Sequence, residues 1–428
     1  MSLVAKIKIG IMQYQREVKD IFYLIALQGL NYMAPILVLP YLMVVLGAEK
    51  FGYIGFSLAI CQYLNVLVDF GFNFSATKKI ALLKHDKTSL DKVFSATVYA
   101  KLILLSLSFF ILLGLSSILQ FAVYRTTLLI MFLVVVGNSL LFVFLFQGLG
   151  EIRLVSIVNA IAKLAILPLT FIFVKSPEDV NIAAFLQSLV AVFASILSLI
   201  LIYRKKCVNL VRVSFSAISS EIKDSMPLFL STASSTVYVA CFVVILGFFG
   251  DAEEVGRYSA VDRIMRALCS LILVPIFQVF YPKVSSMANE NYIGALKLSK
   301  KLLIVTFVST LILSVIMFIG SFVSVDLLGA DYIGTEGLFK IMAFTPIFIG
   351  TGGIVGQCMM LALGGKKEKI YFQNTYIVAV VVALFFVLLL TPMYKSTGTA
   401  YALLITEFTV MLLLIIFSKK YLITRKKC

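Results

Sequence analysis

Eight ionisable side chains fall inside long apolar runs of this chain: Asp69, Lys101, Lys163, Asp262, Arg263, Arg266, Lys340 and Glu407. A charge at such a position costs about 2.5–3.5 kcal/mol on insertion scales, so each one is a candidate for function or for a specific partner. Lys163 stands mid-run, too deep to snorkel easily, and reads as lining a water-filled cavity. Glu407 reads the same way, or as the structural partner of a buried cation. Asp262 and Arg266 are four residues apart and share a helix face, while Arg263 and Arg266 are three apart. The trio is therefore either a cationic stripe facing a substrate or a structural ion pair. Lys101 lies near enough to a run's end to snorkel to the headgroups. Asp69 either caps a turn or titrates, and Lys340 reads as interfacial.

Five cations and three carboxylates make a set that suits an anion. The carboxylates become necessary if H⁺ or Na⁺ is exchanged. Asn65, Asn138 and Asn159 add neutral hydrogen-bonding capacity of the kind sugar hydroxyls use. The candidates for substrate binding are thus Lys163, Arg263, Arg266, Lys101 and Asn65; those for ion coupling or structural pairing are Asp69, Asp262 and Glu407. No catalytic group is expected. His85 is the lone histidine and sits in a lysine-rich loop, and the six cysteines form no CxxC, so no metal or redox site is expected either.

These residues need helices in lipid to hold them. The chain of 428 residues is 61% hydrophobic and 14% charged, with mean hydropathy +1.04. A soluble domain carries roughly 25% charged residues. The shortfall, with repeated runs of about twenty apolar residues, makes this an all-α polytopic membrane protein. Twelve segments are expected, at about 20–46, 51–73, 93–118, 122–148, 152–174, 180–203, 225–250, 255–282, 302–326, 337–363, 371–392 and 397–418. Pro35, Pro40, Pro168, Pro275 and Pro346 fall within them and permit kinks.

The net charge of +16 does not imply a nucleic acid, because the cations fall in short loops. The N-terminal tail, the 74–92 loop, the 204–224 loop, Lys297, Lys300 and Lys301, Lys366, Lys367 and Lys369, and the C-terminal tail are lysine-rich. The opposite loops hold Glu49, Glu178, Asp179, Asp251, Glu253, Glu254, Asp331 and Glu336. By the positive-inside rule the lysine-rich face is cytoplasmic, with both termini inside and no removable signal peptide.

The 204–224 connection divides the chain six segments from six, giving bundles 1–203 and 225–428. An even number per half makes the repeats parallel. Ala48-Glu49-Lys50-Phe51-Gly52 is echoed by Ala252-Glu253-Glu254-Val255-Gly256, and Lys79 falls level with Lys283. Gln147-Gly148-Leu149-Gly150-Glu151-Ile152-Arg153 is likewise echoed by Leu363-Gly364-Gly365-Lys366-Lys367-Glu368-Lys369. No loop is long enough for the catalytic domain that a membrane polymerase or glycosyltransferase usually carries.

The run from Gln62 to Ala81, QYLNVLVDFGFNFSATKKIA, resembles the helix 2 signature of Wzx-type O-antigen flippases, the polysaccharide transporters of the superfamily that also holds multidrug exporters and lipid II flippases. Glu49-Lys50-Phe51-Gly52 and Phe146-Gln147-Gly148 fit it too, and length and the six-plus-six division extend the resemblance over the whole chain. The resemblance implies two pseudo-symmetric six-helix bundles around a central cavity that alternates its opening. It implies movement of an undecaprenyl-pyrophosphate-linked oligosaccharide from the cytoplasmic to the periplasmic leaflet of the bacterial inner membrane. Membrane lipids, and an O-antigen polymerase with its chain-length regulator, would be the partners. No cofactor is implied beyond a counter-ion, H⁺ or Na⁺, or the membrane potential. The rivals are a cation-coupled multidrug exporter, which should favour carboxylates in its cavity, and the polymerase or transferase.

Overall fold

The computed structural model describes residues 37–425, and among these every regular element is helical. Helix α1 covers 37–69 and is broken at Gly47, whose φ of 68° is open to glycine without a Cβ clash. The break falls between the expected segments 20–46 and 51–73, while 48–52 are helical. After a left-handed Phe70-Gly71 turn come α2 (Phe72–Leu83), α3 (Lys87–Ser116), α4 (Arg125–Leu140), α5 (Val143–Gly148), α6 (Ile152–Phe173) and α7 (Val180–Lys205). The second half holds α8 (Phe215–Phe249), α9 (Ala252–Glu290), α10 (Tyr292–Gly320), α11 (Ser324–Leu328), α12 (Thr335–Met342), α13 (Thr345–Ile354), a π-helical stretch Val355–Ala362 and α14 (Lys366–Arg425).

Nine described segments are long and apolar enough to cross a membrane, and Thr236–Phe249 is a shorter apolar stretch. The expected spans 371–392 and 397–418 both lie in α14, which breaks at Lys395 (φ 47°, ψ −126°). Two bonds hold that break: the Thr391 and Thr399 hydroxyls lie 2.9 Å apart, and the Ser396 amide donates to Glu254 at 3.1 Å. Most of the expected first span, 20–46, and the N-terminal lead-in lie outside the described residues.

The 204–224 connection is shorter than expected. It is irregular only from about 206 to 214, because the Ser214 hydroxyl oxygen caps α8 by accepting the Ala217 amide. Residues 215–224 are helical and dock on α2, where Lys79 meets Glu221 at 2.8 Å and Asp224 at 2.7 Å. Further along the same contact, Ser75 and Ser225 hydroxyls lie 2.6 Å apart and Phe70 stacks on Phe229 with centroids 4.3 Å apart.

Large apolar side chains such as Phe110, Ile161, Leu164, Ile304 and Ile316 cover the outside, as expected of a surface solvated by lipid tails. Inside, one large cluster joins the two halves of the chain, from Leu42 through Val255 and Tyr332 to Leu414. Nearer the lysine-rich loops the packing divides. One cluster runs from Phe70 to Val208, and a separate one from Val284 to Leu363. Shared packing at one end and divided packing at the other leaves a cleft between them.

Candidate functional site

The cleft holds a cavity of about 1010 Å³. Its wall comes from α1 (Gln62, Asn65, Asp69), the start of α2 (Asn73), Lys101 of α3, Asn138 of α4, the middle of α8 and the first turns of α14. On α14 the lining residues Lys369, Phe372, Gln373, Tyr376 and Ile377 follow helical spacing, so one face of that helix borders the cavity. Gln62, Asn138, Lys369 and Gln373 are exposed although they belong to long apolar segments. Their environment is aqueous rather than lipid.

Two of the expected site residues meet here as a pair. Lys101 Nζ lies 3.4 Å from Asp69 Oδ1 and 5.4 Å from the centroid of Phe144. The Lys101 side chain is 5% exposed and that of Asp69 31%, so the cation is withdrawn into the wall while the carboxylate faces the cavity. Snorkelling to the headgroups is thus not how Lys101 is accommodated. Asn65 is also brought in, its Oδ1 accepting from Asn138 Nδ2 at 3.2 Å.

A second, narrow cavity of about 200 Å³ adjoins the first, since Gln62 and Val239 border both. Asp262, Arg263 and Arg266 line it. Arg266 Nε donates to both oxygens of Asp262 at 2.9 Å, as the four-residue spacing implied, while its Nη2 is buried without a partner among the described residues. Arg263 has no carboxylate partner among the described ion pairs. Its guanidinium lies 5.2 Å from the Phe51 ring centroid and makes a long 3.5 Å contact to the Ile54 carbonyl. The trio is therefore not one uniform cationic stripe. Arg266 is neutralised and Arg263 carries the surplus charge.

Glu407 lines neither cavity. It is 4% exposed, with Oε1 unbonded, and sits against the Tyr238 hydroxyl in the field of Arg266 and Asp262. Its place is behind the wall that Tyr238 and Tyr376 present to the wide cavity.

Lys163 is brought to neither cavity. It is half-buried on α6, and its side chain is off the exposed face that Ile161 and Leu164 share. Lys340 lies 4.9 Å from the Phe322 ring, near the connection after α10, which accords with an interfacial position.

Sequence reasoning passed over Gln62, Asn73, Lys369 and Gln373. A signal was available. Gln62, Asn65 and Asp69 recur at three and four residues, as do Lys369, Gln373 and Tyr376 at four and three, each a polar stripe on an apolar helix.

Beyond the narrow cavity the described helices are in close contact. The two related sequences, Ala48–Gly52 of α1 and Ala252–Gly256 of α9, pack on each other there with backbones in contact. A Cβ on Gly52 would lie 2.0 Å from the Ala252 carbonyl oxygen, and one on Gly256 would lie 1.7 Å from that of Ala48. Tyr332, fully buried, adds a 3.2 Å bond to the Met43 carbonyl.

This architecture and the sequence both have relatives. The fold is shared with a multidrug resistance MATE family transporter of the MOP superfamily in an inward-facing conformation (TM-score 0.72, 15% identity, 92% of this chain and 96% of that one). It is shared as well with lipid II flippase MurJ in an inward closed conformation (TM-score 0.69, 16% identity, 92% and 87%). In sequence the chain is 31% identical over 401 residues to a protein of Escherichia coli (strain K12) named "Putative O-antigen transporter", covering 93% of this chain and 96% of that protein. A Shigella dysenteriae protein of the same name is 29% identical, with 93% and 98% covered. Residues 18–288 match the family described as "Polysaccharide biosynthesis protein". A match over more than half the chain, on a scaffold of lipid-facing helices around a polar cleft, places this multi-pass membrane protein in the polysaccharide biosynthesis protein family.

Proposed function

We propose that the protein is a flippase that moves undecaprenyl-pyrophosphate-linked repeat units of O-antigen, or of a related polysaccharide, across the bacterial inner membrane by alternating access. The observation that carries this reading is the wide polar cavity, open between two packing clusters and closed by the Ala48–Gly52 contact with Ala252–Gly256. A glycan headgroup cannot cross hydrocarbon, and such a cavity offers it a wet route. The lipid tail stays in the bilayer.

In this reading the lysine-rich face and both termini are cytoplasmic, and 1–203 rocks against 225–428. Lys369 at the cavity mouth supplies the positive charge for the pyrophosphate, with Lys101 and Arg266 held by their own carboxylates. The energy is the membrane potential, about 2.3 kcal/mol per charge per 100 mV for an anion leaving a negative interior. H⁺ or Na⁺ at Asp69, Asp262 or Glu407 is the alternative source. No bond is made or broken by the protein, and a polymerase with its chain-length regulator receives the product. A cation-coupled multidrug exporter fits less well, because the one carboxylate that lines the wide cavity among the described residues, Asp69, already has Lys101 as its counter-ion.

Deleting the gene from its native glycan cluster tests this. The lipid-linked oligosaccharide should be recovered as a complete repeat unit held on the cytoplasmic leaflet. A unit lacking a sugar would make the protein a transferase; a unit that reaches the periplasm unpolymerised would make it a polymerase or its partner. Complementation separates the lysines. Lys163→Ala should restore translocation fully, whereas Lys369→Gln should restore about a tenth of it, the loss expected for one charge-assisted contact.

A further inference from the structure

We infer that the inner part of the wide cavity is a glycan-reading surface, built from the carboxamides of Gln62, Asn65, Asn138 and Gln373, and that the pyrophosphate stays outside it, at Lys369. The inference rests on the flippase reading and assigns the two chemical parts of the substrate to two places in the cleft.

Charge is the first argument. Among the described residues the wide cavity is lined by two lysines and one carboxylate, and Lys101 is within 3.4 Å of Asp69. The surplus cation is Lys369, which is exposed on the first turn of α14, beside the lysine-rich loop. One turn further in, Gln373 replaces it on the same face, followed by Tyr376. A dianion is therefore attracted to the mouth and, among the described residues, meets no uncompensated cation deeper in this cavity.

Chemistry is the second. Carboxamides both donate and accept, as sugar hydroxyls do. Asn65 and Asn138 come from different helices and bond to each other at 3.2 Å. Whichever way the pair is turned, that single bond leaves donors and lone pairs on both amides facing the cavity. Gln62 stands one turn from Asn65 and is exposed to the same space. Tyr238 and Tyr376, with ring centroids 6.0 Å apart, complete the inner wall beside the amides. Amides beside aromatic rings suit the polar edges and apolar faces of pyranoses. An aliphatic ligand would leave the amides unpaired, and a cationic drug would lack a free carboxylate. About 1010 Å³ is at the top of the range for small-molecule sites, so the space suits the few sugars nearest the pyrophosphate rather than a long polymer.

The test uses the purified full chain in nanodiscs and two lipids: undecaprenyl pyrophosphate without sugar, and the lipid-linked oligosaccharide extracted from the deletion strain. Phe372→Trp provides the signal, since the chain has no tryptophan and Phe372 borders the cavity. The paired change Asn65→Leu with Asn138→Leu removes both partners of the amide bond and leaves neither unsatisfied. It should weaken the glycosylated lipid at least about tenfold and leave the bare lipid unchanged. Lys369→Gln should weaken both lipids by the same factor. If the paired variant does not fold, Gln373→Met, at an exposed position, should weaken the glycosylated lipid alone. Equal loss of both lipids in the amide variants, loss of neither, or equal wild-type affinity for both lipids would each overturn the inference. A wild-type protein that binds neither lipid would instead overturn the flippase reading itself.

Discussion

Gly256→Ala is expected to stop translocation although it adds one methyl group. The new Cβ would lie 1.7 Å from the Ala48 carbonyl oxygen and 3.0 Å from the Gly52 amide, both backbone atoms of the facing helix. No side chain can swing away to make room, so the helices must part. Overpacking of this kind costs about 1–3 kcal/mol, and 1.4 kcal/mol is tenfold in a two-state equilibrium. The cost falls only on the state in which Ala48–Gly52 and Ala252–Gly256 touch. The expected result is a protein that inserts and folds but holds this end open. A cysteine placed at Ser259, which is buried next to Gly55 in the wild type, should then react with an impermeant thiol reagent from that face. Gly114→Ala is the control, because nothing approaches within 4 Å of its added Cβ. An unreactive Ser259→Cys in the Gly256→Ala protein, with transport intact, would show that this contact is not the closing element.

The second large effect is an asymmetry between Asp69 and Lys101. Asp69→Leu leaves the Lys101 ammonium in a wall where its side chain is 5% exposed, with only the Phe144 ring and no carboxylate. Removing one partner of a buried pair costs about 3–5 kcal/mol. Lys101→Met leaves a carboxylate that is 31% exposed to cavity water and should cost much less. Replacing both should recover most of the stability, since an ion pair exchanged for well-packed apolar groups is often neutral. Thermal unfolding of the three purified variants reads this directly. Equal loss in the two single variants would mean that Lys101 reaches water by another route.

Much of the scaffold was legible because helices in lipid must satisfy their own backbone, which makes apolar length a strong signal. The Asp262–Arg266 bond was legible for the same local reason: a four-residue spacing sets the two side chains on one face whatever surrounds the helix. The repeat at Ala48 and Ala252 could be seen in the letters as well. Its meaning could not. That the two copies face each other, backbone to backbone, depends on how α1 and α9 cross.

The same limit explains the lysines. Lys163 sits mid-run and Lys101 nearer the end of its run, and hydropathy reports depth, not direction. In water a helix shows its buried side by being apolar there. In lipid both sides are apolar, so the azimuth of Lys163 on α6 was hidden, and so was the approach of Lys101 to Asp69 across two helices. Lys369 was hidden differently, its position next to Lys366 and Lys367 making it look like loop charge. The amino-acid sequence alone determined that this is a helical membrane protein with costly internal charges. Tertiary packing decided which of those charges share a cavity, because partners on separate helices are chosen by helix crossing and not by spacing along the chain.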